Sequence, residues 1–307
     1  MRIVRSGSGL RLASFGRLRS VPSRLCAVGS TVAPALALLL LAGACVDLEQ
    51  VLRVRSDGAG ELLVNVRFDP KLLEEGIEEG QAGSLEEMLA EMRQNAAADG
   101  ESQAAELGEG VRFAGIEELT GERPGLQLRF DFDDVGALRL SPMGPLASQA
   151  GGAPGADSAD PIGLAFDRKG KRSILRVALF SEEELAELAR EVQVASPPEP
   201  PSAPEGGFDQ MAEAMMEMMK ELLTGLRIAF VVEPVGEIST TNSSYRDGNR
   251  LTLFRLDFAA LLENEEALKR LGAEPDEPSL ASLRRMVGAV AGMDMELLPE
   301  MVVEFSD

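Results

Sequence analysis

Leu48-Glu-Gln-Val-Leu-Arg-Val-Arg-Ser-Asp-Gly-Ala-Gly-Glu-Leu-Leu-Val-Asn-Val-Arg-Phe68 breaks once, at Ser56 to Gly60, and reads as strand on either side of the break. Leu62, Val64, Val66 and Phe68 alternate with other residues, so one face of a pleated strand carries them all, and Asp57-Gly58 is the dipeptide that a tight turn selects. The segment is therefore expected to be a β-hairpin with one buried face. Two further hairpins follow the same logic. Val111 to Glu118 leads through Gly121-Glu-Arg-Pro-Gly125 to Leu126, Leu128, Phe130 and Phe132, and Ile162–Asp167 pairs with Ser173–Phe180 across Arg168-Lys-Gly-Lys171.

Helical spacing fills the intervals. Ser84 and Glu87 are placed as a capping box for a helix to about Ala97, with a loop over 98–110. Ser181 caps a second helix, with Leu185, Leu188, Ala189 and Val192 on one side. Pro197-Pro-Glu-Pro-Pro-Ser-Ala-Pro204 excludes helix and sheet alike and marks an extended linker. Beyond it, a methionine-rich helix over Phe208–Thr224 ends at Gly225. Strands are expected at Leu226–Val232, Val235–Thr240, Asn249–Phe258 and Met301–Phe305, with helices near 259–271 and 279–291. The fold class expected is α+β, an antiparallel hairpin-rich sheet packed with several helices. Four stretches divide the chain: 1–44, an α+β region over 45–196, a Pro-rich linker or loop over 197–207, and an α+β region over 208–307 that belongs to the same domain or forms a second.

Charge separates the first stretch from the rest. Of 30 basic and 51 acidic residues in the 307, residues 1–44 hold Arg2, Arg5, Arg11, Arg17, Arg19 and Arg24 and no acid, which leaves the remainder with 24 basic residues and a net charge of −27. The arginines precede the apolar run Val32–Ala42 and then Gly43-Ala44-Cys45, which is the anatomy of a secretory signal cut between Ala44 and Cys45. Leu41-Ala42-Gly43-Ala44-Cys45 resembles a bacterial lipobox, with Ala42 where leucine is usual. That resemblance implies a diacylglycerol on the Cys45 thiol and a lipid-anchored protein of the cell envelope, facing the periplasm or exterior. An uncleaved anchor helix and plain secretion are the alternatives, since no residue from Leu25 to Val46 is charged. With Cys26 in the removed segment, Cys45 would be the single cysteine of the mature chain, which excludes disulfides and cysteine-bound metal.

Composition narrows the chemistry further. The acidity argues against nucleic acid as a partner, because phosphate contacts need clustered lysine and arginine. No histidine is present, so Ser–His–Asp and Cys–His catalysis are excluded. A hydrolase using serine or paired carboxylates is the enzymatic alternative to a non-enzymatic binding protein. Asp131, Asp133 and Asp134, and separately Asp294 and Glu296, have the oxygen ligands that calcium takes but not the spacing of a calcium loop, and are read as solvated turn acids. Neither a metal nor a cofactor is expected.

Leu226-Arg-Ile-Ala-Phe-Val-Val-Glu-Pro-Val-Gly-Glu-Ile-Ser-Thr-Thr-Asn242 and Gly248-Asn-Arg-Leu-Thr-Leu-Phe-Arg-Leu256 resemble the C-terminal core of the LppM-like envelope lipoproteins of actinobacteria. The cysteine, strand and Asp57-Gly58 turn fit that pattern, as does Gly125-Leu-Gln-Leu-Arg-Phe130 leading to Asp134. The Pro-rich and methionine-rich segments do not. The resemblance implies a membrane-tethered ectodomain that contacts lipids or glycolipids, and no catalytic residues. On the residues themselves, Phe208, Met211, Met215, Met218, Met219 and Leu222 recur at helical spacing. Such a stripe is either core filler or a plastic apolar surface for a lipid or an envelope protein partner.

Overall fold

Each strand of the first hairpin lies in the middle of a sheet, and most of the architecture follows from what pairs on either side. The computed structural model describes residues 46–70, 85–140, 162–181, 185, 225–263, 284 and 287–307, all within the unit Thr31–Asp307. β1 (Val46–Val54) and β2 (Gly60–Phe68) form the expected antiparallel hairpin, from Val46 opposite Phe68 to Val54 opposite Gly60. β3 (Arg112–Leu119) and β4 (Gly125–Phe132) form the second, and β4 docks on β2. β5 (Gly163–Lys169) and β6 (Arg172–Ala178) form the third. β7 (Arg227–Pro234), β8 (Glu237–Thr241), β9 (Arg246–Asp247), β10 (Arg250–Asp257), β11 (Met293–Met295) and β12 (Glu300–Ser306) complete the strands.

They make two sheets rather than one. The larger runs β11-β10-β7-β1-β2-β4-β3 with β9 on β10, and the smaller runs β5-β6-β12-β8. The expected α+β class is corrected on this point: the described residues are mostly β, with 52 % of them in strands and two α-helices. These are α1 (Leu85–Leu107) and α2 (Phe258–Glu263). A second correction concerns direction, because β1 and β7 run parallel, Asp47 beside Arg227 through Val54 beside Pro234. The larger sheet is thus mixed. Each sheet draws strands from both sides of 197–207, through β1 with β7 in one and β6 with β12 in the other.

Burial explains the pairing. Inward residues of the larger sheet (Leu48, Leu52, Leu62, Val64, Phe130, Phe230, Val232) share one core with Leu175, Val177, Met301, Val303 and Phe305 of the smaller. Each large side chain withdrawn from water in this way contributes about 1.5–3 kcal/mol. The outward face is not uniformly polar, however. Val51, Leu63 and Val231 are buried there and stand in one row across β2, β1 and β7. A strand that buries both faces belongs in a sheet interior, and Ile228 to Val232 is apolar throughout.

Two departures from the sequence reading have identifiable causes. α1 continues past Ala97 to Leu107, and the loop expected over 98–110 is mostly helix. Gly100, a poor helix former, sits where a Cβ would come 2.5 Å from the Phe113 ring, so helix and strand approach closely there. Asp247-Gly-Asn249 reads as a turn between Val235–Thr240 and Asn249–Phe258, yet β8 crosses to the smaller sheet and pairs with β12. Gly236 makes the crossing, at φ +124° and with the space for a Cβ taken by the Ser306 carbonyl at 2.2 Å. The Ser84 capping box, the helix after Ser181 apart from Leu185, and the Pro-rich segment lie outside the described residues.

Candidate functional site

Outward side chains of the larger sheet form rows across its strands, because paired residues on adjacent strands point the same way. At the end where β1 begins, one row reads Asp257, Arg227, Asp47, Arg67 across β10, β7, β1 and β2. The next reads Arg255, Ala229, Glu49, Asn65, Gln127, and the third holds the buried Val231, Val51 and Leu63. Charge alternates in sign along the first row. In the second, the methyl of Ala229 stands between two long charged side chains.

That small residue opens a cleft of about 410 Å³, lined by Asp47, Glu49, Arg67, Arg227, Arg255 and Asp257 around Ala229, with Ala260 and Gly292 at one side. Small residues also set that wall: a Cβ on Gly292 would meet the Asp257 carbonyl at 2.7 Å and Ala260 Cβ at 2.8 Å. Ion pairs and hydrogen bonds hold the charged side chains, one pair within the cleft and the others from beyond it. Arg227 pairs with Asp257 at 2.8 Å, and Arg255 with Asp294 at 2.5 Å. Glu49 accepts from Arg250 and from Asn65 Nδ2 (3.1 Å), and Gln127 donates to Asn65 in turn at 2.7 Å. Asp47 reaches Arg123 at 3.6 Å. Burial raises the Asp47 carboxyl above its ordinary range, with Arg227 and Arg123 pulling the other way. Arg67 donates to the Arg123 carbonyl at 3.4 Å and has no carboxylate within ion-pair distance among the described residues.

The residues singled out from sequence fall elsewhere. Ala44 and Cys45 precede Val46 directly and lie outside the described residues, as do Phe208, Met211, Met215, Met218, Met219 and Leu222. Asp133 holds Arg112 through two bonds of 2.8 Å, and the Asp134 carboxylate accepts from the Gly136 N–H at 2.8 Å to cap the turn Val135–Ala137. Glu296 departs from the expected solvated acid. It is 2 % exposed and accepts from Ser244 N–H (2.6 Å), Ser244 Oγ (3.1 Å) and Ser243 Oγ (3.2 Å), tying the loop after β8 to β11. Among the described residues no three acidic or sulfur ligands gather as a metal site would need, and no helix is long and apolar enough to cross a membrane. The arginines of the cleft escaped sequence reading because they meet only through the parallel pairing of β1 with β7. Their signal was the outward parity of Asp47, Glu49, Arg227 and Ala229.

No protein-family model and no curated protein matches the chain. Among solved structures it matches the NMR structure of the folded domain of the LppM protein of Mycobacterium tuberculosis, covering 86 % of this chain and 91 % of that one at 10 % identity. The match falls on the family that the sequence resembles, but a TM-score of 0.26 does not establish a common fold.

Proposed function

We propose that the chain is an exported lipoprotein, attached to a bacterial envelope membrane through lipid on Cys45, whose β-rich domain is a non-enzymatic binding module for a lipid or an envelope protein. One observation carries the reading. β1 starts at Val46, the residue after Cys45, and runs directly into the middle of the larger sheet. A lipid on Cys45 therefore leaves almost no slack between bilayer and domain, and it sets one end of the sheet against the membrane. The charged cleft opens at that end, since Asp47 is its first residue. The signal-like charge pattern of residues 1–44 and the single mature cysteine support export and lipidation. Arginine, carboxylate and small side chains line the cleft, a composition suited to binding polar groups rather than to nucleophilic attack.

The test is mass spectrometry of the intact, detergent-extracted protein with fractionation of a Cys45→Ser variant. The chain is expected to begin at Cys45 and carry a diacylglycerol mass, and the variant to leave the detergent phase. A variant that keeps an uncut N-terminus and stays in the membrane would show an anchor helix instead.

A further inference from the structure

We propose that the cleft over Ala229 binds a phosphoethanolamine group, a small zwitterion whose phosphate meets the arginines and whose primary ammonium meets Asp47 and Glu49. The lining has matched charge, three guanidiniums and three carboxylates, so neither a simple anion nor a simple cation satisfies it. Arg255 and Glu49 stand on the two strands flanking β7, with backbones about 10 Å apart, and only the Ala229 methyl between them. That gap is too wide for the two side chains to close on one another while each is held from outside, Arg255 by Asp294 and Glu49 by Arg250. A group carrying both charges a few bonds apart spans it.

Two further observations give the zwitterion its orientation. Asp47 lies between Arg67 and Arg227 in the sheet register, yet its ion pair is with Arg123, and Arg227 is engaged by Asp257. A half-buried carboxylate left this way accepts N–H donors from an ammonium. Arg67 keeps donors that no described carboxylate occupies, and a phosphate with several oxygens can take bonds from it and from Arg227 together. A carboxylate zwitterion would use fewer of these donors. The ammonium must carry hydrogens, because the acceptors are carboxylate oxygens rather than aromatic faces. The chemistry of the cleft stands apart from the anchored reading above; only a membrane lipid as the source of the group rests on it.

The experiment titrates the full-length protein in detergent with O-phosphoethanolamine and with phosphocholine. It then measures binding to vesicles of phosphatidylcholine alone, or mixed with phosphatidylethanolamine or phosphatidylglycerol. Phosphoethanolamine is expected to bind at least about tenfold more tightly than phosphocholine, a preference of one lost charge-assisted contact. Ala229→Leu should fill the cleft and abolish binding. Asp47→Asn and Arg67→Gln, outward substitutions on intact strands, should each weaken it about tenfold with the thermal transition retained. Binding of free phosphoethanolamine without preference for phosphatidylethanolamine vesicles identifies a soluble source, and preference in both identifies the lipid headgroup. Equal affinity for phosphocholine, affinity unchanged in Asp47→Asn and Arg67→Gln, or no binding of phosphoethanolamine would overturn the assignment. Acylation of Cys45, read from the intact mass, fails or holds independently of these outcomes.

Discussion

At Asp47 burial and neighbouring charge oppose one another, and the outcome is open to measurement. Its carboxyl binds a proton more tightly in the fold than its ordinary value of 3.8, because burial outweighs Arg227 and Arg123. The folded chain therefore holds this proton to higher pH than the unfolded chain does. The linked stability is present below the ordinary value and is lost as pH rises through the raised one. Asp47→Asn, which cannot ionise, should gain stability relative to the wild type as pH is raised through that window in urea unfolding. A constant difference between the two would contradict the stated balance. Gln50 offers a second test on the same strand. Its side chain is 3 % exposed, and its Oε1 has no hydrogen-bond partner among the described residues. Gln50→Met keeps the shape and removes the stranded acceptor, so it is expected to stabilise by about 1 kcal/mol. Loss of stability on the same scale would show that the amide is needed.

Elements in this fold are held by close approaches that invert ordinary substitution rules. In a solvated helix Gly→Ala stabilises by about 1 kcal/mol, but at Gly100 the new methyl would meet the Phe113 ring at 2.5 Å. Gly100→Ala should therefore destabilise, by about 1–3 kcal/mol, as α1 is pushed from β3. Glu296→Ala should cost a similar roughly 1–3 kcal/mol, because three donors from Ser243 and Ser244 lose their shared acceptor. Denaturant midpoints measure both. The contrast between these residues also shows what the sequence made legible. The three hairpins could be read because each is a local event, an alternating run closed by a Gly-containing turn. Glu296 could not, since its donors lie 52 and 53 residues away and nothing local distinguishes it from a surface acid. The parallel pairing of β1 with β7 was hidden for the same reason. The doubly apolar run Ile228–Val232 marks an interior strand without naming its neighbour, and Ala229 is unremarkable until Arg255 and Glu49 flank it.

At the scale of the molecule, strands from the two sides of 197–207 meet in both sheets, so neither side contains a complete one. A fragment ending at residue 196 would leave β1 without β7 and β6 without β12, and should show no cooperative unfolding transition. The same topology gives the domain a direction. Val46, Arg67 and the Gly121–Pro124 turn gather where β1 begins, while Ser56 and the Lys171 turn gather at the other end, where Ser56 accepts from Ser173 at 2.8 Å. A nine-residue strand separates these ends by about 25 Å. With the Cys45 thiol acylated, one introduced cysteine is the sole site for a spin label, at Glu122 near the tether or at Lys171 far from it. The decisive measurement is relaxation of each label by nickel carried on the lipid headgroups of vesicles holding the full-length protein. The anchored account predicts strong relaxation at position 122, weak relaxation at 171, and no labelling of the parent chain. Equal relaxation at the two positions, or a free thiol at Cys45, would contradict it.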